Sequence, residues 1–354
     1  MSTGPMSNRV REQRQRRGWS QAELAERTGV SRTAVSAIEG QRLVPSVAAA
    51  LALARALETS VEELFCATSG EAASEGPAWA WAPPQERWRY WQAEVGGRVF
   101  CYPSERTGEI NPPHDGIAKA SGSAREVVKR ASETLVLASC DPAAGMLATE
   151  YQRQTGLRMI VLTRSSGEAL ELLRRGLVHV AGIHFANAEA TDANEAAARA
   201  RLGGGFQLLR AAEWQEGVAV ASGRSARTVT GLLRSHPRWV GREPGSAART
   251  LQDDLLPESR TVERCASDHR GVAAAIRGGW ADAGVCVRLV SEEAGLQFLS
   301  VRQESHDLCL QPAYAHDRRI QSLVLLLQSA AFRQLTGELP GYDSRHTGEM
   351  RECK

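Results

Sequence analysis

Residues 20–46 read SQAELAERTGVSRTAVSAIEGQRLVPS, and this stretch decides the organisation of the first part of the chain. Ser20 precedes an apolar-periodic run and Glu23 follows three residues later, which is the signature of a capping box. Ala22, Leu24 and Ala25 give the helix 21–28 one apolar face. Gly29 ends it, at a position that tolerates left-handed backbone. Ser31 caps a second helix, 32–39, whose Ala34, Val35 and Ile38 form a buried stripe while Arg32, Thr33 and Ser36 point the other way. Two short helices joined by a glycine-containing turn make a helix-turn-helix. A basic helix, 10–17, precedes it. Pro45-Ser46 opens another helix through Leu51, Leu53, Ala54 and Leu57, and the turn 61–65 closes an all-α domain over about 7–66.

Together with LALARALETSVEELF at 51–65, these caps, apolar positions and turn resemble the lambda-repressor/Cro type of DNA-binding domain, the XRE family. The resemblance implies that the second helix of the motif lies in the major groove of double-stranded operator DNA with its first residues on base edges. That assigns Arg32, Thr33 and Ser36, with Ser31 at the helix start, to the DNA face. An arginine can grip guanine O6 and N7 in a bidentate fork. Gln21 and Arg42 become phosphate contacts. The family's loop glycine is replaced by Gln41. Operators of this family are two-fold, so the resemblance also implies a homodimer. Glu39 reads as structural, since a carboxylate facing phosphate is repelled.

The chain has 354 residues, 42% hydrophobic and 24% charged, with a net charge of +2. That mixture suits two or three globular domains and excludes a wholly disordered chain or a polycation. No apolar run is long enough to span a bilayer, so no membrane partner is expected. The Arg-rich beginning lacks the apolar segment of a signal peptide, which predicts a cytoplasmic protein. Seven cysteines stand without a CxxC pair or zinc spacing, so no disulfide framework, metal or cofactor is expected.

Residues 67–130 read as a linker followed by a small adaptor. ATSGEAASEGP is loop-like, but AWAWAPPQERWRYWQ at 78–92 carries Trp79, Trp81, Trp88 and Trp91, too much aromatic area for a bare tether. Residues 96–116 look like a hairpin and turn, with His114 and Asp115 in the turn. The expectation is an adaptor that docks one domain on the other or makes a dimer contact.

From 131 to 343 strands and helices alternate. TLVLAS, RMIVLT and VAGIHF are strands separated by loop-helix segments, which argues for a parallel sheet flanked by helices. EGVAVASG, RWVGREPGSAARTLQDDLL and ERCASDHRGVAAAIRGGWADAGVCV suggest a second lobe. QFLSVRQESHDLCLQPAY returns the chain, and 321–343 is one terminal amphipathic helix ending in a turn. Residues 344–354 form a polar, frayed tail. Ligands of such sheets bind beyond the carboxyl ends of strands. The residues there are Ser139, Cys140 and Asp141, then Ser165 and Ser166, then His184.

LASCDPAAGMLA, REPGSAARTLQDDLL, GVAAAIRGGWADAGV and SAAFRQLTGELPGYD are similar to the periplasmic-binding-protein-like domain of bacterial regulators, related to molybdate- and tungstate-binding proteins. The resemblance implies a type II α/β domain of two lobes and a ligand-responsive regulator, with a molybdate- or tungstate-like oxyanion or a small polar metabolite as effector. Helix N-termini at Ser165-Ser166 and Gly245-Ser246 suit an anion, with Arg249 adding charge. Asp141 opposes an anion unless Arg164 or Arg249 pairs with it. Asp268 and His269 complete the candidate set. Each has a plainer reading: Ser165, Ser166 and Asp268 as helix caps, Gly245-Ser246 as a turn, His184 as a hydrogen-bonded structural histidine. Two other classes remain open, a redox regulator acting through Cys140 or Cys286 and an enzyme using Cys140 with His184 or His269. No catalytic motif marks an enzyme.

Overall fold

Ser20, Ser31 and Ser46 each stand one residue before a helix, and in each case the hydroxyl accepts the N–H that the first turn leaves open. The computed structural model describes residues 8, 10–40, 42–57, 59, 61–65, 77–105, 113–119, 127–128, 130–224, 226–256, 262 and 264–353. It divides into two units, Met1–Gly76 and Pro77–Lys354. The first holds α1 (Val10–Arg16), α2 (Gln21–Thr28), α3 (Arg32–Glu39), α4 (Val47–Ala56) and α5 (Val61–Phe65). Leu24, Val35, Ile38, Leu53 and Leu57 close its core. Gly29 takes the left-handed conformation that ends α2, at φ 67°. Glu39 is structural: Arg14 donates to both its oxygens, at 2.7 and 3.1 Å. Burial alone would raise the Glu39 carboxyl, but Arg14 and Gln21 outweigh burial and hold it below the usual range. The loop-like segment 67–76 and Gln41 lie outside the described residues.

The second unit begins with a four-stranded sheet of β1 (Ala78–Trp79), β2 (Arg87–Val95), β3 (Arg98–Pro103) and β4 (Gly116–Lys119), in the order β1-β3-β2-β4. Gly96 and Gly97, at φ 59° and 75°, form the two-residue turn of its central hairpin. Residues from Pro77 onward belong to the larger unit: Trp91, Phe100 and Tyr102 share one core with Val136, Leu170 and Leu173. The tryptophan-rich segment that reads as an adaptor in sequence is thus a layer of the second unit's own core. Tyr102 donates to the Leu177 carbonyl at 2.7 Å, and Asp115 binds Arg158 through both oxygens at 2.6 and 2.7 Å.

The large sheet contains β5 (Thr134–Ser139), β6 (Arg158–Thr163), β7 (Val180–Asn187), β8 (Phe206–Val220), β9 (Trp239–Arg242), β10 (Cys265–Ala266), β11 (Ala283–Val287) and β12 (Gln297–Leu310). Its order is β10-β9-β11-β8-β12-β7-β5-β6, with β13 (Tyr342–Asp343) and β14 (Met350–Cys353) both on β8. One lobe is the parallel set β7-β5-β6, packed by α6 (Ala144–Thr155), α7 (Ser166–Arg174) and α8 (Ala193–Leu202). The other is the parallel set β10-β9-β11, with α9 (Val229–Arg234), α10 (Ala247–Leu255), α11 (His269–Arg277) and α12 (Arg288–Glu293). Strands β8 and β12, 15 and 14 residues long, run antiparallel through both lobes and join them. They approach closely at Gly217, where a Cβ would lie 2.1 Å from the Leu299 carbonyl oxygen.

Two expectations are corrected near the C-terminus. The terminal amphipathic helix is two helices, α13 (Arg318–Gln328) and α14 (Ala330–Gly337), because Ser329 ends the first and caps the second. The polar tail is not frayed. Residues Met350–Cys353 pair with Phe206–Leu209, and the buried Thr347 hydroxyl donates to the Ala211 carbonyl at 2.8 Å. Backbone pairing on the edge of β8 holds this segment, and hydropathy carries no sign of it.

Candidate functional site

In the helical unit, α3 presents Arg32 and Thr33 exposed at its N-terminus, with Ser36 half-buried one turn on. The Ser31 hydroxyl accepts from Ala34 N–H at 3.2 Å and lies 3.1 Å from the Thr33 hydroxyl, so it orders the start of this helix. Gln21 turns its amide inward and donates to Glu39 at 2.9 Å. Arg42 is exposed.

In the second unit the strand ends converge where β8 and β12 cross between the lobes. Cys140, after β5, lies 3.0 Å from His184 Nε2. His184 sits inside β7, three residues before its end, and not beyond the strand as the apolar run suggests. His184 Nδ1 donates to Glu304 Oε2 at 2.7 Å, and its backbone N–H donates to the Ser166 hydroxyl at 3.3 Å. His269, the first residue of α11, comes from the other lobe, and Arg242 at the end of β9 donates to its Nδ1 at 3.0 Å. Ser139 holds His306 Nε2 at 3.3 Å and accepts from Asp141 N–H at 3.1 Å. Asp141 is paired by neither Arg164 nor Arg249: it accepts from the Tyr342 hydroxyl at 2.6 Å, while Arg164 binds Glu105 and Arg249 binds Asp253.

Of the hydroxyls expected to hold an anion, Ser165 and Ser246 are engaged within their own turns and Ser166 with the His184 N–H. Ser165 forms a capping box with Glu168. Ser246 donates to the Glu243 carbonyl at 2.8 Å and accepts from Arg249 N–H at 3.1 Å. Gly245, at φ 81°, and Gly167 bring the starts of α10 and α7 together: a Cβ on Gly167 would lie 3.2 Å from the Gly245 carbonyl oxygen. Asp268 caps α11 through Gly271 N–H at 2.6 Å. For the caps, the plainer reading describes this closed arrangement.

Beside this cluster is a cavity of about 320 Å³ whose walls include Cys140, Asp141, Thr163, Asp268, His269 and Arg270. Its polar lining carries both signs of charge.

Burial controls the protonation of the cluster. Burial and the neighbouring Glu304 carboxylate push Glu216 well above the usual carboxyl range, so it is a neutral acid. Burial alone would lower His184, but Cys140 outweighs burial and raises it above its ordinary value. Burial and Arg242 push His269 well down, and burial takes His306 to about 4. Burial also pushes the Cys286 thiol up to about 12, which leaves it protonated and unreactive as a nucleophile.

Residues 148–328 match the PBP superfamily domain, and residues 10–64 match a helix-turn-helix family. The chain belongs to the PBP superfamily. Its N-terminal helices are a helix-turn-helix DNA-binding domain. That part is 43% identical over 60 residues to the uncharacterized HTH-type transcriptional regulator YgzD of Bacillus subtilis (strain 168), covering 17% of this chain and 91% of that protein. The PBP part is 23% identical over 187 residues to the uncharacterized protein YvgK of the same organism, covering 50% of this chain and 60% of that protein. Among solved structures, a putative phosphate ABC transporter substrate-binding protein from Clostridium perfringens is similar at 10% identity and a TM-score of 0.48, over 59% of this chain and 99% of that one.

Within the PBP domain, the reading of strand ends found Ser139, Cys140, Asp141 and His184 but missed Trp214, Glu216, Arg242, Arg302, Glu304 and His306. Arg242 ends β9, and the signal of the others was period-two alternation. Trp214 and Glu216 share one face of β8, and Arg302, Glu304 and His306 one face of β12, with Arg302 opposite Glu216 and Glu304 opposite Trp214. Charged residues alternating through a long strand with both lobes packed on it mark buried polar positions. Among the described residues no helix is long and apolar enough to cross a membrane.

Proposed function

We propose that this protein is a one-component transcription regulator. The helix-turn-helix binds operator DNA as part of a homodimer, and a small ligand held between the PBP lobes sets its affinity. One observation carries the reading: a single chain joins a recognition helix with exposed Arg32 and Thr33 to two lobes crossed by β8 and β12. Lobes joined by two strands can close on a ligand. The ligand then acts through its differential affinity for open and closed forms, typically about 1–3 kcal/mol.

The cleft favours a ligand carrying both an acid and an amine or hydroxyl over a tetrahedral oxyanion. The hydroxyls of Ser165 and Ser246 are spent on their own turns, and Asp141 and Asp268 line the cavity together with Arg270. Thermal unfolding against molybdate, tungstate, sulfate, phosphate and a set of amino and hydroxy acids tests this. A ligand at 100 times its dissociation constant adds about 2.7 kcal/mol. Stabilisation by an amino or hydroxy acid is the expected outcome, and stabilisation by tungstate or molybdate alone would overturn the assignment.

The DNA arm is tested on duplexes selected from a random pool. Replacing Arg32 by alanine should weaken binding to the selected duplex by about 10- to 100-fold, roughly 1–3 kcal/mol. It should also relax base preference at one position. Unchanged affinity and preference would remove α3 from the DNA interface.

A further inference from the structure

Cys140, His184 and Glu304 form a relay that neither a ligand clamp nor a helix cap requires. The Glu304 carboxylate accepts from His184 Nδ1 at 2.7 Å, so this nitrogen carries the hydrogen and the Nε2 lone pair faces the Cys140 sulfur at 3.0 Å. Arg302 and the Trp214 indole also donate to Glu304 and fix its position. This is a nucleophile, a base and a group that orients the base. A second observation points to a reacting partner. The Cys140 sulfur and one ring nitrogen each of His184 and His269 lie within 4.8 Å of one another. His269 is 1% exposed and its Nε2 has no partner.

The same three residues could be taken for a metal site, but the hydrogen bonds argue against it. Arg242 can only donate, so His269 Nδ1 is the acceptor and Nε2 carries the hydrogen. A metal needs a lone pair at Nε2. An N–H there suits instead a sulfur or oxygen that gains negative charge.

We propose that Cys140 is a reactive thiol that reduces small hydroperoxides and is itself oxidised to the sulfenic acid. The sulfur attacks the terminal peroxide oxygen, so an S–O bond forms and the O–O bond breaks. The thiol proton passes through His184 Nε2 to the departing alkoxide or hydroxide, which leaves as alcohol or water. Sulfur loses two electrons and the peroxide gains them. The His269 Nε2–H stands ready to donate to the new oxygen. The cavity of about 320 Å³ beside Cys140 gives the peroxide its place. Cys140 and His184 belong to one lobe, His269 to the other and Glu304 to a crossing strand, so the added oxygen sits where the lobes meet. This reaction goes beyond ligand sensing and does not depend on it.

The test uses the reduced full chain, hydrogen peroxide and dimedone, with labelling at each cysteine followed by peptide mass spectrometry. Cys140 should label about 100-fold faster than the exposed Cys265. This ratio needs no variant and is indifferent to DNA binding, so the regulator reading can fail independently. His184→Gln should bring Cys140 down to the level of Cys265, and Glu304→Gln, a positioning change that keeps an acceptor for Nδ1, should lower the rate less. Equal labelling of Cys140 and Cys265 in the unaltered chain would overturn the proposal. So would binding of one zinc(II) per chain that blocks labelling and is lost in Cys140→Ser, since the site would then hold a metal.

Discussion

Replacing Glu304 by alanine will destabilise the PBP domain by roughly 3–5 kcal/mol, the cost of breaking a buried ion pair from one side. The Glu304 side chain has no exposed area and accepts from His184, Trp214 and Arg302. Its removal leaves the Trp214 indole and His184 Nδ1–H without an acceptor and Arg302 with the longer contacts to Glu216 and the Ala247 carbonyl, both at 3.4 Å, and to Asp254 at 4.0 Å. Part of the loss is recovered, because Glu216 is neutral through burial and the nearby Glu304 charge, and it can ionise once that charge is gone. The same argument gives the control. Glu216→Gln replaces a neutral acid by a neutral amide of the same shape and should cost within about 1 kcal/mol. Urea unfolding read by tryptophan fluorescence measures both, since seven of the eight tryptophans lie beyond Gly76. Equal losses for the two variants would refute this account of the charges.

Acid will weaken the same domain through His179, which lies outside the site. His179 is fully buried with both nitrogens bound to backbone: Val136 N–H donates to Nδ1 at 3.0 Å, and Nε2 donates to the Glu94 carbonyl at 3.0 Å. Burial, helped by Arg319 and opposed by Asp317, lowers its pKa from the ordinary 6.5 to about 3. The folded form therefore holds a neutral ring. Its contribution is fully present above 6.5 and is lost as pH falls toward 3, because in that window the unfolded chain binds a proton that the folded chain does not. The slope is about 1.4 kcal/mol per pH unit, or about 4–5 kcal/mol over the whole window. Unfolding free energies at pH 7, 6, 5 and 4 should fall less steeply in His179→Gln by about that slope. Parallel curves would show that His179 does not titrate in this way.

The capping serines 20, 31 and 46, the glycine at 29 and the apolar stripes of the helix-turn-helix were legible because they act within a turn or two of chain. The end of β5 at Ser139 was legible for a related reason: a buried parallel strand is a short apolar run, and its end is where the run stops. Strand β7 continues past its apolar run to Asn187, so His184 lies inside that strand. Ser165, Ser246 and Asp268 look in sequence equally like caps and like ligand donors. Only their hydrogen bonds, to Glu168, Glu243 and Gly271, distinguish the two. The tryptophan-rich segment showed that it must be buried but not against what. The tail at 350–353 is held by backbone pairing with β8, which leaves no pattern in its side chains.

The sequence by itself determined the helix-turn-helix, the alternation of strands and helices, and that Cys140 follows one strand while His184 belongs to another. These rest on local propensities and on periods of 3.6 and 2 residues. Only the tertiary structure decided that Glu304, 120 residues from His184, supplies its carboxylate, that Arg242 fixes the proton on His269, and that Glu216 stays neutral. Those facts depend on the register of β12 against β8 and on which charges meet away from water. Register and burial are properties of the whole sheet, which no stretch of the chain carries alone.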